Sequence, residues 1–235
     1  MPDRPHLVLL PGMLCDAGLF AHQTEHLAGV AAVGFGELTR DDSVGGMART
    51  VLDGAPERFS LAGLSLGGIV AMEVMRRAPE RVERLALVDT SPLPPRPDQL
   101  ETWDGFERMT AEGRFMEVTT ERLMPALIHS DRQDEPDLTN AIERMAENVG
   151  EGAFLRQLSA QRGRPDSRES LARIECPTLV LCGRQDALCP FALHEEMAGT
   201  IPGAVLVPVE GCGHLSSLER PEAVTAVLRY WMQGG

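Results

Sequence analysis

The sequence predicts an α/β protein built on a doubly wound, mostly parallel sheet. Two observations favour this class: short apolar, β-rich runs recur along the chain, and segments with helical spacing lie between several of them. Runs that are apolar without alternation are typical of strands buried on both faces, as in parallel sheets. Strands that alternate with helices in this way indicate right-handed crossover connections.

Six runs are candidate strands. They are HLVLLP at 6–11, VAAVGF at 30–35, FSLAGLS at 59–65, VERLALVD at 82–89, TLVLCG at 178–183 and AVLVPVE at 204–210. Helical spacing is found at 43–54, 66–77, 190–199 and 221–232. The second of these segments stops before Pro79, and the last two start at Pro190 and Pro221, because proline suits the first turn of a helix and not its interior.

The alternation of strands and helices breaks once, after the proline-rich stretch TSPLPPRPDQ. From there to residue 170 the sequence has helical patches and no strand pattern, and CPTLVLCG then resumes the sheet. We therefore predict a core of residues 1–92 and 171–235 with a helical lid inserted at 93–170. A lid is expected over the carboxyl ends of the strands, where open α/β sheets bind ligands. A helical bundle packed away from any site is the alternative.

The charge of the chain argues against two classes of partner. The 235 residues include 22 arginines, no lysine and 35 acidic residues, for a net charge of −13. The arginines are scattered, so such a surface is poorly suited to phosphate backbones or anionic lipids. We expect a small-molecule acyl substrate and neither nucleic acid nor a membrane as partner, and the oligomeric state stays open.

The cysteines and the N-terminal stretch predict a cytoplasmic protein with free thiols. MPDRPHLVLLPG has a short apolar run and no small-residue cleavage site, and no later stretch approaches membrane-spanning length. The five cysteines form no CxxC pair. Cys212 and His214 lie two residues apart, but no second ligand pair matches them, so we expect buried thiols and no metal or other cofactor.

A serine lies at a junction between strand and helix patterns. Gly63-Leu64-Ser65-Leu66-Gly67 matches G-x-S-x-G between an apolar run and a helical segment, the context that this motif requires. The glycines allow strand and helix to approach closely, and the hydroxyl of Ser65 is expected to stand clear of the sheet as a nucleophile. A small-residue turn that merely packs a helix on a sheet is the structural alternative.

A serine hydroxyl is a weak nucleophile until a base takes its proton, so a histidine is needed. His214 lies in EGCGHLSSLERPEAV, after the last candidate strand, and its place in a glycine-flanked loop favours it. The other histidines occur at a strand start, on helices or in the insertion. They are His6, His22, His26, His129 and His194.

The histidine in turn needs a carboxylate that fixes its tautomer and stabilises the imidazolium. Asp186, in LVLCGRQDALCP, follows one candidate strand, and Asp89, in LALVDTSP, follows another. Asp186 is the favoured acid, because a short turn there can direct a carboxylate at the loop of His214. Asp89, followed by Thr-Ser-Pro, is interpreted as a turn former.

An ester carbonyl under attack develops negative charge that backbone N–H groups can stabilise. The N–H of Leu66, directly after the nucleophile, is one expected donor. The second must come from the loop after the first strand, LLPGMLCDAGLF. An ordinary strand-to-helix loop is the alternative there.

These motifs together resemble the α/β-hydrolase superfamily, and the resemblance covers nearly the whole chain in the order Ser65, Asp186, His214. It is most similar to small bacterial esterases, enol-lactonases, acyl-carrier methyl esterases and MenH-type lyases. The resemblance implies an α/β-hydrolase fold and a catalytic triad, while its motifs specify the substrate weakly.

Three features depart from that family pattern. Many relatives carry His-Gly where this chain has Pro11-Gly12, so the second oxyanion donor is Met13 or Leu14, with Met13 favoured. The chain starts at what would be the third strand of the family, so we expect about six strands and no leading antiparallel hairpin. The segment at residues 35–53 is short and lacks the usual glycine-rich turn with a basic residue.

The leading hypothesis is a cofactor-independent serine hydrolase that cleaves a small carboxylic ester, thioester or lactone through an acyl-enzyme. A lyase or carbon–carbon hydrolase with the same triad is the alternative. An anionic substrate of that kind needs convergent arginines, for which the insertion offers Arg108, Arg114, Arg122 and Arg156, although solvated partners of its acidic residues are favoured. A noncatalytic ligand-binding protein is the third hypothesis.

Apolar residues of the insertion predict a mainly apolar acyl pocket of modest size. Trp103, Phe106 and Met124 are spaced to cover the site from the lid, and Leu14 from the oxyanion loop joins them as a candidate substrate contact. Helical apolar spacing is also typical of the lid's own core.

Overall fold

Residues 4–234 are described by a computed structural model of the chain, which contains a six-stranded, fully parallel sheet. The strands lie in the order β2-β1-β3-β4-β5-β6. Their bounds are β1 His6–Leu10, β2 Ala32–Phe35, β3 Phe59–Leu64, β4 Val82–Val88, β5 Thr178–Gly183 and β6 Val205–Val209. The predicted fold class is confirmed, and each strand starts and ends within about two residues of the apolar run that predicted it.

Helices cover both faces of the sheet. The core helices are α1 Ala21–Leu27, α2 Val44–Gly54, α3 Leu66–Arg77, α9 Phe191–Thr200, α10 Ser216–Glu219 and α11 Pro221–Met232. One buried cluster joins β-strand side chains to α2, α3 and α9, and a second joins the opposite face of the sheet to α1 and α11. The four central strands, β1, β3, β4 and β5, are mostly buried on both faces, which explains why their sequences do not alternate. The edge strands β2 and β6 are partly exposed.

The insertion is helical, and residues 93–170 contain no strand. Its helices are α4 Pro97–Ala111, α5 Phe115–Glu117, α6 Met124–Leu127, α7 Pro136–Arg162 and α8 Arg168–Leu171, with a π-helical turn at Val118–Leu123. A separate apolar cluster that includes Trp103, Phe106 and Phe154 holds these helices together. α7 changes direction at Gly150, whose φ of +74° is left-handed.

The insertion contacts two loops at the carboxyl edge of the sheet. Gln157 of α7 accepts a hydrogen bond from the backbone N–H of Leu14, at 3.0 Å. The carbonyl oxygen of Leu127 accepts from the backbone N–H groups of His214 and Leu215, at 3.0 and 3.1 Å. These contacts place the insertion beside the loops that follow β1 and β6. The limits predicted for the lid, 93–170, remain a prediction.

Two further expectations were free thiols and no stretch of membrane-spanning length. All five cysteines lie within residues 4–234 and are unpaired there, four of them buried. Among the helices of the described residues, none combines the length and apolarity needed to cross a bilayer.

The backbones of β1, β3 and α3 approach one another too closely for side chains at two glycines. A Cβ atom on Gly63 would lie 2.2 Å from the carbonyl oxygen of Gly67, and one on Gly67 would lie 2.1 Å from that of Leu10. Both obstacles are backbone atoms inside a packed core, which cannot move aside cheaply. The two outer glycines of the G-x-S-x-G motif are therefore required by this junction.

We predict that Gly67→Ala destabilises the protein by roughly 1–3 kcal/mol or more, because the new methyl group overpacks a rigid junction. Gly105→Ala, in the middle of α4, is the matched control, since the nearest obstacle to its Cβ is 3.9 Å away. That change is expected to leave stability equal or raise it by roughly 0.5–1 kcal/mol through helix propensity. Thermal and urea unfolding measure both, and equal stability of the two variants would contradict the steric argument.

Candidate active site

Ser65 occupies a strained turn between β3 and α3. Its φ of +55° and ψ of −114° lie in a region that non-glycine residues rarely adopt. Surrounding hydrogen bonds hold the turn: the Ser65 carbonyl oxygen accepts from the N–H of Ile69 at 3.1 Å and from the Thr90 hydroxyl at 2.7 Å. The side chain is half-buried at the first turn of α3. The hydroxyl is thus fixed in direction before any ligand arrives.

The structure brings Ser65, His214 and Asp186 together. The Oγ atom of Ser65 lies 2.9 Å from Nε2 of His214, and Nδ1 of His214 lies 2.7 Å from Oδ2 of Asp186. In this arrangement Nδ1–H donates to the carboxylate, so Nε2 is left to accept the serine proton. Both His214 and Asp186 are buried. The geometry is that of a nucleophile, a base and an orienting acid.

Backbone amides fix the direction of the Asp186 carboxylate. Its Oδ1 atom accepts from the N–H groups of Leu188 and Cys189, each at 2.8 Å, which leaves Oδ2 for His214. The acid loop and the histidine loop also touch directly, since a Cβ on Gly183 would lie 1.9 Å from the carbonyl oxygen of Gly213. The short loop 183–186 therefore presents its carboxylate at a defined distance from the imidazole.

Asp89, the rival acid, does not contact the histidine ring and instead links two loops. Its Oδ1 accepts from the N–H of Gly183 at 2.8 Å and its Oδ2 from the N–H of Ser216 at 3.1 Å. The residue is fully buried with a φ of +44°. Burial and the nearby charge of Asp186 raise the pKa of the Asp89 carboxyl. The turn-former interpretation was incomplete, because Asp89 ties the start of the acid loop to the end of the histidine loop.

Two backbone N–H groups are candidates for stabilising an oxyanion. Leu66 is the first residue of α3, so its N–H has no partner within the helix. The N–H of Met13 has no acceptor among residues 4–234, whereas that of Leu14 donates to Gln157. Met13 is therefore the better second donor of the two that the sequence left open.

Gln157 is a functional residue that the sequence did not reveal. It is fully buried, and its Oε1 atom accepts from Leu14 while its Nε2 donates to the carbonyl oxygen of Leu38 at 3.3 Å. Leu14 itself has a φ of +60°. The amide of Gln157 holds this strained loop, although it comes from α7, more than a hundred residues away in sequence. No local pattern around Gln157 signals such a contact.

The other histidines have structural contacts instead. His194 is fully buried on α9, and its Nε2 accepts from the Thr90 N–H at 3.1 Å. Burial lowers the pKa of His194 to about 4, so it is neutral at neutral pH. Nδ1 of His22 lies 2.8 Å from the hydroxyl oxygen of Thr225. The side chain of His129 caps a short 3₁₀ helix by accepting from the N–H of Asp131.

The surroundings of His214 favour its protonated form. Burial opposes the charge, but attraction to Asp186 and the hydrogen bond to that carboxylate outweigh burial and raise the pKa of His214. Asp89 and Glu219 add to this effect from further away. A histidine of this kind accepts a proton readily when the serine attacks.

The buried carboxylate of Glu219 connects the histidine loop to the insertion. Oε1 of Glu219 accepts from the N–H of Gly213, and Oε2 accepts from that of His129, each at 2.8 Å. Together with the carbonyl oxygen of Leu127, which accepts from His214 and Leu215, this makes the segment 127–129 of the insertion a support for the backbone around His214.

A cleft with a cavity volume of about 110 Å³ lies against Ser65 and His214 and is partly open to solvent, so it is smaller than most ligand sites. The sequence predicted apolar side chains in the lining, and the cleft contains them. Those side chains are Met13, Ile69, Leu93, Trp103, Leu123, Leu127, Leu188, Leu193 and Leu215. The polar lining was not expected and comprises Arg96, Gln99, Gln161 and Arg164, besides Thr90 and Ser91. The lining is mainly apolar, as predicted, and these polar side chains are an addition to that prediction.

Of the four predicted substrate contacts, Trp103 lines this cleft and three do not. Leu14 and Phe106 pack inside the apolar cluster of the insertion, and Met124 packs in the core cluster below it. Helical spacing marks a residue as inward-facing without saying whether a helix neighbour or a ligand fills the space inside. Leu14, Phe106 and Met124 therefore fill the interior of the protein and do not line the cleft.

The arginines named in the sequence for an anionic substrate also lie elsewhere. Arg114 pairs with Glu112 and Glu117 at the surface, and Arg156 donates to the carbonyl oxygen of Thr39. Arg108 and Arg122 are exposed and border a separate surface hollow. The favoured interpretation of solvated residues thus fits them. The arginines that line the cleft are Arg96 and Arg164, which no sequence pattern singled out.

One group of side chains within residues 4–234 could in principle hold a metal. The ligating atoms of Asp186, Cys189 and His214 lie within 4.8 Å of one another. Both oxygens of Asp186 and the facing nitrogen of His214 are already hydrogen-bonded, and burial raises the pKa of the Cys189 thiol far above its usual range. A neutral thiol is a poor ligand, so this donor set suits a triad better than a metal.

Known proteins resemble this chain in sequence and in fold. Residues 7–227 match the family model described as the alpha/beta hydrolase family. A pimeloyl-[acyl-carrier protein] methyl ester esterase of Aromatoleum aromaticum is 29% identical over 99% of this chain and 100% of its own length. The malate-bound structure of a thermophilic esterase from Thermogutta terrifontis has a TM-score of 0.88 and 30% identity, covering 98% of this chain and 90% of that one.

A third similar protein supports the fold alone. The crystal structure of the enol-lactonase from Burkholderia xenovorans has a TM-score of 0.86 at 23% identity, over 98% of this chain and 92% of that one. Its strands and helices superimpose, while its sequence is too distant to carry an activity across.

We predict that Asp186→Asn lowers turnover roughly 10⁴-fold, because an amide at this place favours the wrong imidazole tautomer. Asp89→Asn is the matched comparison. It takes an acceptor from one of two buried N–H groups, so we expect roughly tenfold less activity and a clear loss of thermal stability. Initial rates on one ester, with circular dichroism to verify folding, measure both. A larger rate loss at Asp89 would move the acid to that strand.

We predict an acidic limb in the pH profile of kcat/KM that lies above pH 6.5, the ordinary pKa of histidine. His214 acts while neutral, so activity falls as the pH drops through its raised pKa. In Asp186→Asn the attraction is lost while burial remains, and the limb moves to lower pH. A wild-type limb below 6.5 would contradict this account.

Proposed function

The chain belongs to the alpha/beta hydrolase family, and we propose that it is a serine hydrolase of small carboxylic esters, with thioesters and lactones as chemically related substrates. Ser65 is the nucleophile, His214 the base and then the acid, and Asp186 the group that orients the imidazole. Met13 and Leu66 donate backbone hydrogen bonds to the oxyanion.

The single observation that carries this proposal is the hydrogen-bonded series Ser65, His214, Asp186, whose first two members line the cleft. When Oγ attacks the ester carbonyl carbon, its proton passes to Nε2 of His214, and the electron pair of the carbonyl moves onto its oxygen. Collapse of that intermediate expels the alcohol, which takes the proton from Nε2. Water, activated by the same nitrogen, then releases the acid and restores Ser65.

The related proteins support an ester as the substrate. The first is an esterase of a methyl ester by its name, and the structure with 30% identity is that of an esterase. Both relatives match this chain over nearly all of its length. Their own acyl groups and alcohols are not carried over to this chain, because the cleft lining decides them.

A lyase or carbon–carbon hydrolase with the same triad is the second candidate. It is favoured by one observation: Arg96 and Arg164 line the cleft, and such reactions on anionic substrates need positive charge near the reacting carbon. A protein that reacts covalently at Ser65 and yet leaves simple esters intact would fit this candidate better.

We predict that a fluorophosphonate probe labels Ser65, because the His214 pair makes this hydroxyl nucleophilic. Peptide mass mapping locates the label. Ser65→Ala should abolish both labelling and ester turnover. Ser91→Ala, which removes another serine hydroxyl of the cleft wall, should still be labelled at Ser65. Labelling of folded wild-type protein at a different serine, or none, would end the proposal.

We predict a preference for short or medium acyl chains in a series of p-nitrophenyl esters from acetate to decanoate. The cavity of about 110 Å³ is small and partly open to solvent, so a long chain must extend beyond it and gains little from burial. Values of kcat/KM along the series provide the measurement, with Ser65→Ala as the background. Steadily rising values up to decanoate would contradict a pocket of this size.

A further inference from the structure

Arg164 is a buried guanidinium in the wall of the catalytic cleft. The residue is 7% exposed and lies just beyond the end of α7. Its Nε donates to the carbonyl oxygen of Leu93 at 2.9 Å, and its two terminal nitrogens donate to the side-chain oxygens of Gln161 and Gln99, at 2.7 and 2.9 Å. All three acceptors are neutral.

Within residues 4–234 the hydrogen-bond acceptors of Arg164 include no carboxylate, and no carboxylate contributes to the shift of its pKa. Burial lowers the pKa of Arg164 to about 10, so the group stays charged at neutral pH. The two titratable neighbours give no negative charge: Cys189 is a neutral thiol, because burial raises its pKa, and Arg96 has the same sign as Arg164. Arg96 is moreover paired with Asp98 at 3.0 Å.

A buried charge without a counter-ion is costly, so proteins seldom keep one in a core without a function. The neighbours of Arg164 hold it in place. Gln99 and Gln161 accept from its terminal nitrogens, and the ring of Trp103 lies 5.4 Å from the guanidinium carbon. The group is therefore oriented in advance, as recognition of an ion requires.

We propose that Arg164 binds a carboxylate carried by the substrate, so that the protein is an esterase of small carboxylate-bearing esters. The inference rests on the proposed function, since it names the substrate class of the same cleft. The scissile ester lies at Ser65 and the carboxylate at Arg164, and Trp103 and apolar side chains line the cleft they share.

The number of free donors favours a carboxylate over a phosphate. A guanidinium has five N–H groups, and three of those on Arg164 are used by protein acceptors. One N–H of each terminal nitrogen is left, enough for the two oxygens of a carboxylate. One uncompensated positive charge is matched by one negative charge, whereas a phosphate monoester carries nearly two at neutral pH.

The test compares charged and neutral esters of matched length. Monomethyl succinate, glutarate and adipate carry the carboxylate on the acyl side, and the methyl esters of butanoate, pentanoate and hexanoate are their neutral partners. O-Acetyl glycolate and ethyl acetate form the corresponding pair with the carboxylate on the alcohol side. We expect wild-type kcat/KM to be highest for a charged member of one series, which also identifies the side.

Arg164→Gln should lower kcat/KM roughly 10- to 100-fold for that charged ester, the worth of hydrogen bonds to a charged group. Its effect on the neutral partner should stay within about threefold. Arg164→Lys keeps the charge without the planar pair of donors and should fall between. Arg162→Gln is the matched control: Arg162 pairs with Asp104 outside the cleft, at 2.8 Å, and its loss should change neither ester.

The ratio of the two esters separates recognition from structure. If Arg164 merely supports the loop of Leu93, Arg164→Gln lowers both values together and the inference fails. If neutral esters are cleaved through Ser65 and no charged ester is preferred, the proposed function holds and the inference is overturned.

If no ester is turned over at all, that result counts against the proposed function. A binding measurement still tests the inference in that case. Calorimetry with the Ser65→Ala variant should then detect hexanoate and not hexan-1-ol. The hexanoate signal should disappear in the double variant with Arg164→Gln. Equal binding of the acid and the alcohol would overturn the inference.

Discussion

The site depends on the close approach of three backbones at the carboxyl end of β3. Gly63 and Gly67 have no room for side chains, so β1, β3 and α3 meet at van der Waals contact between main-chain atoms. The residue between them is forced into a left-handed conformation, and this conformation is what directs the Ser65 hydroxyl away from the sheet. The same turn starts α3 at Leu66, which leaves that N–H free beside the hydroxyl.

Three buried carboxylates then assemble the loops around His214. Asp89, Asp186 and Glu219 each accept hydrogen bonds from two backbone N–H groups, and every pair lies in or beside the acid and histidine loops. Asp186 alone among them also reaches the imidazole. Since all three raise the pKa of His214, the carboxylates that support these loops also increase the basicity of its imidazole.

The sequence predicted what is decided by local chemistry. Continuous apolar runs gave the strands, proline gave helix ends at Pro79 and Pro221, and G-x-S-x-G gave the nucleophile turn, because in each case neighbouring residues determine the outcome. The roles of Gln157 and Arg164 could not be predicted. Each depends on partners more than sixty residues away, Leu14 and Leu38 for one, Leu93 and Gln99 for the other. The packing of the insertion brings those partners together.

The insertion therefore contributes residues to the site itself. Gln157 holds the oxyanion loop, the carbonyl oxygen of Leu127 holds the backbone of His214, and Arg164 supplies the charge in the cleft wall. A change in the packing of its apolar cluster thus reaches the oxyanion donors, the base and the ligand contacts together. For this reason the substrate class is better read from the residues that the insertion buries at the cleft than from the triad, which serves many substrates on one fold.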